Sequence, residues 1–136
     1  MPKIPSRLRK SLVPLLTAWT FGIYWLVLLV ATHVPIQQQI GPRGTDKLVH
    51  FAAYGLLAFL AATAWTARRC PTPGSYLAIF LLLSIYGALD EVTQPLVGRT
   101  CDPADWLADV GGVAIGLGVF AAVRRLTAFR SPKAAD

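Results

Sequence analysis

The sequence contains few charged residues, fewer acidic than basic ones, and almost no cysteine. Charged residues make up 15% of the 136 positions, with 13 basic residues against 7 acidic ones, and there are 2 cysteines. Cys70 and Cys101 fit neither a disulfide framework nor a zinc-finger spacing. The H-E-x-x-H metal motif is missing, and no repeat of roughly 20–50 residues occurs. These absences exclude a disulfide scaffold, a zinc finger and a repeat array.

Apolar residues are what the sequence has in excess. They make up 54% of the chain, and the mean hydropathy is +0.52, well above that of a soluble domain. Four apolar runs come close to the length of about 20 residues that crosses a bilayer as a helix. We expect spans at residues 12–32, 48–67, 76–94 and 104–123, with tails at residues 1–11 and 124–136. The sequence therefore predicts an all-α fold, an integral membrane four-helix bundle, as one domain over residues 1–136.

The first apolar run has a rival interpretation as a cleaved signal peptide. A signal peptide has an apolar region of about 7–15 residues, followed by small residues at the cleavage site. Residues 12–32 form a longer run, and the segment Ala31-Thr32-His33 is a poor cleavage site. A retained helix is therefore favoured, and His33 is expected to be only a polar residue at the membrane edge.

The distribution of basic residues predicts the orientation of the bundle. They are concentrated in the two tails and in the turn at residues 68–74, whereas the opposite loops contain Arg43, Lys47 and Arg99. Because basic residues accumulate on the cytoplasmic side, both termini are expected to be cytoplasmic. The net charge of +6 then reflects topology and attraction to anionic lipid, so nucleic acid is not an expected partner.

Acidic residues are concentrated at the predicted outer face, and their spacing is helical. The pairs Asp46 and His50, Asp90 and Gln94, and Asp105 and Asp109 are each four residues apart, which places the members of a pair on one helix face. The candidate polar site comprises Asp46, Lys47, His50, Asp90, Glu91, Gln94, Arg99, Asp102, Asp105 and Asp109.

Asp90, Glu91 and Asp109 lie about one turn inside the predicted spans. An ionised aspartate at the centre of a spanning helix costs about 2.5–3.5 kcal/mol on insertion scales, so such residues face the bundle interior and are functional candidates. We expect Asp90, Glu91 and Asp109 to pair with bases, namely Arg99, Lys47 or His50. A purely structural interpretation remains open: Asp46 and Asp105 suit helix starts as caps, and Arg99 with Asp102 suits a loop salt bridge.

Small residues recur every fourth position in the last span, at Ala108, Gly112 and Gly116. This spacing allows two helices to approach closely. The neighbouring helix belongs either to the same chain or to a second copy, which leaves a homo-oligomer open.

Two ordered motifs resemble those of the VanZ-like family. The first is the segment DKLVHFAAYGLL, which begins at Asp46. The second is D-E-V-T-Q from Asp90, then R-x-x-D-x-x-D from Arg99, and then the glycine-rich helix. The resemblance covers roughly residues 46–118, and Asp109 stands where many members have asparagine. It implies a bacterial inner (cytoplasmic) membrane protein with a cell-envelope role, in a family associated with low-level resistance to the glycopeptide teicoplanin.

Three functions are compatible with the residues. The favoured one is an envelope-associated accessory or binding protein, whose outward polar pocket takes a lipid headgroup or a cell-wall precursor. In that interpretation Arg99, Lys47 and His50 meet phosphate. The alternative is a membrane-embedded enzyme that uses the His and carboxylate groups, with or without a metal, on a lipid-linked substrate. A transporter ranks last, because it needs charges near the midplane and usually repeated halves. The sequence names no catalytic residue, cofactor or metal.

Overall fold

The computed structural model describes residues 6–35 and 44–129, and describes side chains from residue 12 onwards within these ranges. The helices are α1 (Ser6–His33), α2 (Thr45–Thr66), α3 (Pro73–Thr93) and α4 (Pro103–Phe129), with a 3-10 turn at Gln94–Val97. All four helices are long and apolar enough to cross a membrane, and the described part of the chain contains no strand. The predicted all-α membrane bundle is confirmed.

Local sequence explains where α3 begins and ends. Thr72 and Ser75 form a reciprocal capping box: the Ser75 N–H donates to Thr72 Oγ1 at 3.2 Å, and the Thr72 N–H donates to Ser75 Oγ at 2.9 Å. Pro73 occupies the first helical position, where the missing N–H costs nothing. At the other end the chain tightens into the 3-10 turn, which Gly98 ends at φ 78°. The α3 backbone therefore carries Gln94 directly beyond Asp90 and Glu91.

The last helix extends past its predicted end. The apolar run stops at residue 123, but α4 continues through Arg124 and Arg125 to Phe129. Arginine is a good helix former, and no glycine or proline interrupts this stretch. The change from apolar to basic residues therefore does not end the helix.

Glycines bring α2 and α4 into the most extensive contact in the bundle. A Cβ atom on Gly112 would overlap the carbonyl oxygen of Phe51, and one on Gly116 would overlap that of Gly55. Gly55 in turn lies against the Gly112 backbone. The glycine row therefore packs against a helix of its own chain, and the half-buried Ala108 lies one turn before it.

Many of the large apolar side chains lie on the outside of the bundle. Large apolar side chains such as Leu16, Leu82 and Val92 are exposed, whereas much of the core consists of smaller groups around Tyr54 and Leu57. This arrangement suits a lipid environment, in which apolar side chains need no burial and close packing comes from small residues. α1 is the least buried of the four spans and joins the others through contacts such as Tyr24 Oη, which donates to the Ala53 carbonyl at 3.1 Å.

Candidate functional site

Polar side chains converge at one end of the bundle, where α1 and α3 end and α2 and α4 begin. Because the helices alternate in direction, these four helix ends lie on the same side. The buried polar residues at this end are Thr32, His50, Asp90, Glu91, Gln94, Asp105 and Asp109. Lys47, Arg99, Asp46 and Asp102 surround them and are only half-buried.

His50, Glu91 and Asp109 form the centre of this polar end, each from a different helix. His50 Nδ1 lies 3.0 Å from Asp109 Oδ1 and 3.9 Å from Glu91 Oε1. Asp109 is 0% exposed, Glu91 2% and His50 6%. The histidine and the two carboxylates are thus held together away from solvent, as expected for acids that face the bundle interior.

One carboxylate oxygen of Asp109 has no partner among the described residues. Its Oδ1 contacts His50, but its Oδ2 is buried and accepts no hydrogen bond from them. Gly87 makes room for this oxygen, because a Cβ there would lie 3.2 Å from Asp109 Oδ2. A buried carboxylate oxygen without a partner is costly, and an ordered water, a proton or a cation would each satisfy it.

Glu91 is held by the loop that leads into α4. Its Oε2 accepts a hydrogen bond from the Asp102 N–H at 3.0 Å, and its Oε1 accepts one from Gln94 Nε2 at 3.2 Å. These two bonds orient the carboxylate so that Oε1 points towards His50. Gln94, which is only 1% exposed, therefore positions Glu91.

Asp90 lies apart from this centre and forms a second hub with α1. Thr32 Oγ1 donates to its Oδ1 at 2.9 Å, Tyr54 Oη donates to its Oδ2 at 3.2 Å, and His33 Nδ1 lies 3.5 Å away. The expected pairing of Asp90 with Arg99, Lys47 or His50 is wrong, because α1 and Tyr54 supply its partners instead.

Four residues of this second hub escaped sequence reasoning, namely Thr32, His33, Tyr54 and Thr93. His33 is more than an edge residue, since its Nε2 lies 3.0 Å from Thr93 Oγ1 and its Nδ1 lies 2.9 Å from the Leu29 carbonyl. Tyr54 carried a usable signal, because it follows His50 by four residues on the same helix face. Thr32 and Thr93 carried none, since a hydroxyl in a spanning helix usually bonds to its own backbone.

Lys47 is surrounded by carboxylates. Its Nζ lies 2.6 Å from Asp102, 2.8 Å from Asp105 and 3.6 Å from Asp46. The hydrogen bond from Lys47 lowers the pKa of Asp102, and the Ala104 N–H, which donates to Asp102 Oδ1 at 2.9 Å, acts in the same direction. Asp102 thereby caps the first turn of α4, the role that the structural interpretation had assigned to Asp105.

Arg99 binds backbone carbonyl groups and not a carboxylate. Its guanidinium donates to the Thr32 carbonyl at 2.9 Å and to the Ala31 carbonyl at 3.5 Å. These carbonyls belong to the last turn of α1, where a cation satisfies free acceptors and complements the helix dipole. The anticipated salt bridge between Arg99 and Asp102 is not among the ion pairs of the described residues.

The two groups of acids differ in what they have left to offer a ligand. Within each group, the candidate ligand atoms lie within 4.8 Å of one another. The first group is His50, Glu91 and Asp109, and the second is Asp46, Asp102 and Asp105. Lys47 already pairs with all three carboxylates of the second group. Atoms bound at right angles about 2.1 Å from a metal lie about 3.0 Å apart, close to the His50–Asp109 distance. The first group therefore has the donors and nearly the spacing for a divalent cation.

Comparison with known proteins gives one match. A family model described as VanZ/LLP1 matches residues 3–124, which covers α1 as well as the polar end. No curated protein and no solved structure matches the chain.

Proposed function

The chain belongs to the VanZ/LLP1 family, and from this membership and the geometry of its polar end we propose that it is a cation-dependent binding protein of the cell envelope. In this proposal His50, Glu91 and Asp109 hold a divalent cation. The cation then binds the phosphate of a lipid headgroup or a lipid-linked wall precursor at the outer face. The burial of His50, Glu91 and Asp109 with one ligand atom from each within 4.8 Å of the others is the observation that carries the proposal.

The state of the nearby bases explains why a cation is needed. A phosphate would otherwise be met by Lys47 or Arg99, but Lys47 is paired with carboxylates and Arg99 is bonded to the end of α1. The rest of this end is acidic and would repel a phosphate. A divalent cation held by one neutral imidazole and two carboxylates cancels their two negative charges and has open positions for phosphate oxygens. This donor set favours Mn²⁺ or Zn²⁺ over Ca²⁺, which prefers oxygen ligands alone.

Cation binding is tested by thermal unfolding of the full chain in detergent with Mg²⁺, Ca²⁺, Mn²⁺ or Zn²⁺. A cation at a hundredfold excess over its Kd should stabilise the protein by about 2.7 kcal/mol. Asp109→Asn should remove this stabilisation while keeping the fold, because it replaces a buried charge by a neutral group of the same shape. Glu91→Gln should act in the same way.

Asp46→Asn is the matched control, since Asp46 belongs to the other group of acids, which pairs with Lys47. It should respond to cations as the unmodified chain does. If no cation stabilises the protein, or if Asp109→Asn and Asp46→Asn respond equally, the cation site is refuted. If one cation does stabilise the protein through this site, binding of a lipid-linked precursor should be measured with and without that cation.

Catalysis is a second candidate, favoured by the contact between His50 and Asp109. A carboxylate that orients an imidazole is a common arrangement for a general base. Turnover of a lipid-linked precursor, lost in both His50→Gln and Asp109→Asn, would support an enzyme. Binding without turnover leaves the accessory role.

The proposal also requires the polar end to face outwards, with both termini in the cytoplasm. Cys70 and Cys101 lie near opposite ends of the bundle, and both are exposed. A thiol reagent that cannot cross the membrane should label Cys101 in intact cells, and should label Cys70 only after permeabilisation. Labelling of Cys70 in intact cells, with Cys101 protected, would place the polar end in the cytoplasm and contradict the proposal.

A further inference from the structure

A cleft lies between α1, α2 and α3 in the half of the bundle away from the polar end. It has a volume of about 660 Å³, within the range of roughly 300–1,000 Å³ that is typical of ligand sites. Its walls are almost entirely apolar and include Phe21, Trp25, Ala61, Ile79 and Leu83. All five belong to spanning helices, so the cleft is at membrane depth. An occupant must therefore have an apolar chain.

One end of the cleft is basic. Arg68 and Arg69, just after α2, line the cleft and also a second hollow of about 260 Å³, which Arg124 of α4 completes. Arg69 stacks over the Trp65 ring at 5.4 Å. None of the three arginines forms an ion pair with any acid in the described ranges, in contrast to Lys47 at the polar end. The three arginines are exposed and solvated, and their combined positive charge favours an anion at this place.

We propose that the cleft and the hollow together bind one anionic phospholipid, with an acyl chain in the cleft and the phosphate among Arg68, Arg69 and Arg124. Charge complementarity selects the headgroup, and the continuity of the two spaces through Arg68 and Arg69 selects a lipid over a free phosphate. Guanidinium groups suit this role because they bind phosphate oxygens in pairs. The lipid comes from the leaflet on the side where α2 ends.

Native mass spectrometry of the full chain in detergent tests the proposal. Phosphatidylglycerol and phosphatidylcholine with the same acyl chains are added in equal amounts, with a chelator present so that no divalent cation contributes. Phosphatidylglycerol should bind preferentially. Each arginine near an anionic lipid contributes about 1 kcal/mol, so Arg124→Gln should weaken that preference about fivefold. A triple variant, with Arg68→Gln and Arg69→Gln added, should lose the preference altogether.

Arg125→Gln is the matched control, because Arg125 follows Arg124 on the same helix, has the same charge and lines neither space. It should keep the preference. Ala78→Trp, which fills the cleft, should weaken the binding of both lipids. The proposal is overturned by equal binding of the two lipids, by an equal loss in Arg124→Gln and Arg125→Gln, or by displacement of phosphatidylglycerol with an equal concentration of glycerophosphate. Since the chelator removes cations, failure here leaves the cation site at the polar end untouched.

Discussion

Replacing Gly116 by alanine should lower the free energy of unfolding by about 3 kcal/mol or more. The added Cβ would overlap the Gly55 carbonyl oxygen, and backbone cannot swing aside as a side chain can. Either α2 and α4 must separate or the helices must bend, and overpacking of this kind typically costs about 1–3 kcal/mol even where side chains can yield. Separation would also loosen the polar end, which spans the same helix pair. The measurement is equilibrium or thermal unfolding in detergent.

The same helix supplies the control. Gly118 lies two residues further along α4 and is exposed, and a Cβ added there would meet no atom within 4 Å. Gly118→Ala should therefore cause no loss of stability and should raise it by up to about 1 kcal/mol, because alanine favours the helix more than glycine does. An equal response of the two variants would show that the α2–α4 contact does not depend on glycine.

Replacing Asp90 by alanine should cost about 1–3 kcal/mol. The buried Tyr54 hydroxyl would lose its acceptor, and an unsatisfied group of this kind costs about that much, whereas the Thr32 hydroxyl can still donate to the Leu29 carbonyl at 3.1 Å. Asp90→Asn should cost less, because the amide keeps one acceptor oxygen. Asp46→Ala, at a half-buried acid whose nearest cation is 3.6 Å away, should change stability by about 0.5 kcal/mol or less.

A double-mutant cycle shows whether this loss comes from the hydrogen bonds themselves. Thr32→Val removes the hydroxyl that α1 contributes, with little change in volume. If the bond to Asp90 holds α1, the two substitutions should be non-additive by about 0.5–3 kcal/mol. Additive effects would mean that Asp90 stabilises the bundle in some other way. Unfolding in detergent is again the measurement.

Hydropathy alone predicted the number of helices, their alternating direction and the side on which the acids gather. A chain in lipid must satisfy every backbone group within the helix, so an apolar run of sufficient length has only one outcome. The cost of an ionised group in lipid likewise predicted that Asp90, Glu91 and Asp109 face the bundle interior, whichever partner each of them meets. The exact helix ends were less predictable, as the continuation of α4 through Arg124 illustrates.

Only the tertiary structure decided which hydrogen-bond partner each polar side chain has. Asp90 was expected to meet a base but is bound by hydroxyls from α1 and α2, and Arg99 was expected to meet an acid but caps α1. A hydrogen bond between helices depends on the depth and rotation of one helix relative to another, and the glycine contact constrains these only for α2 and α4. Periodicity within one helix contains no information about either. The sequence therefore determined which groups lie at the polar end, and packing between helices decided which of them meet and that Asp109 keeps an oxygen free.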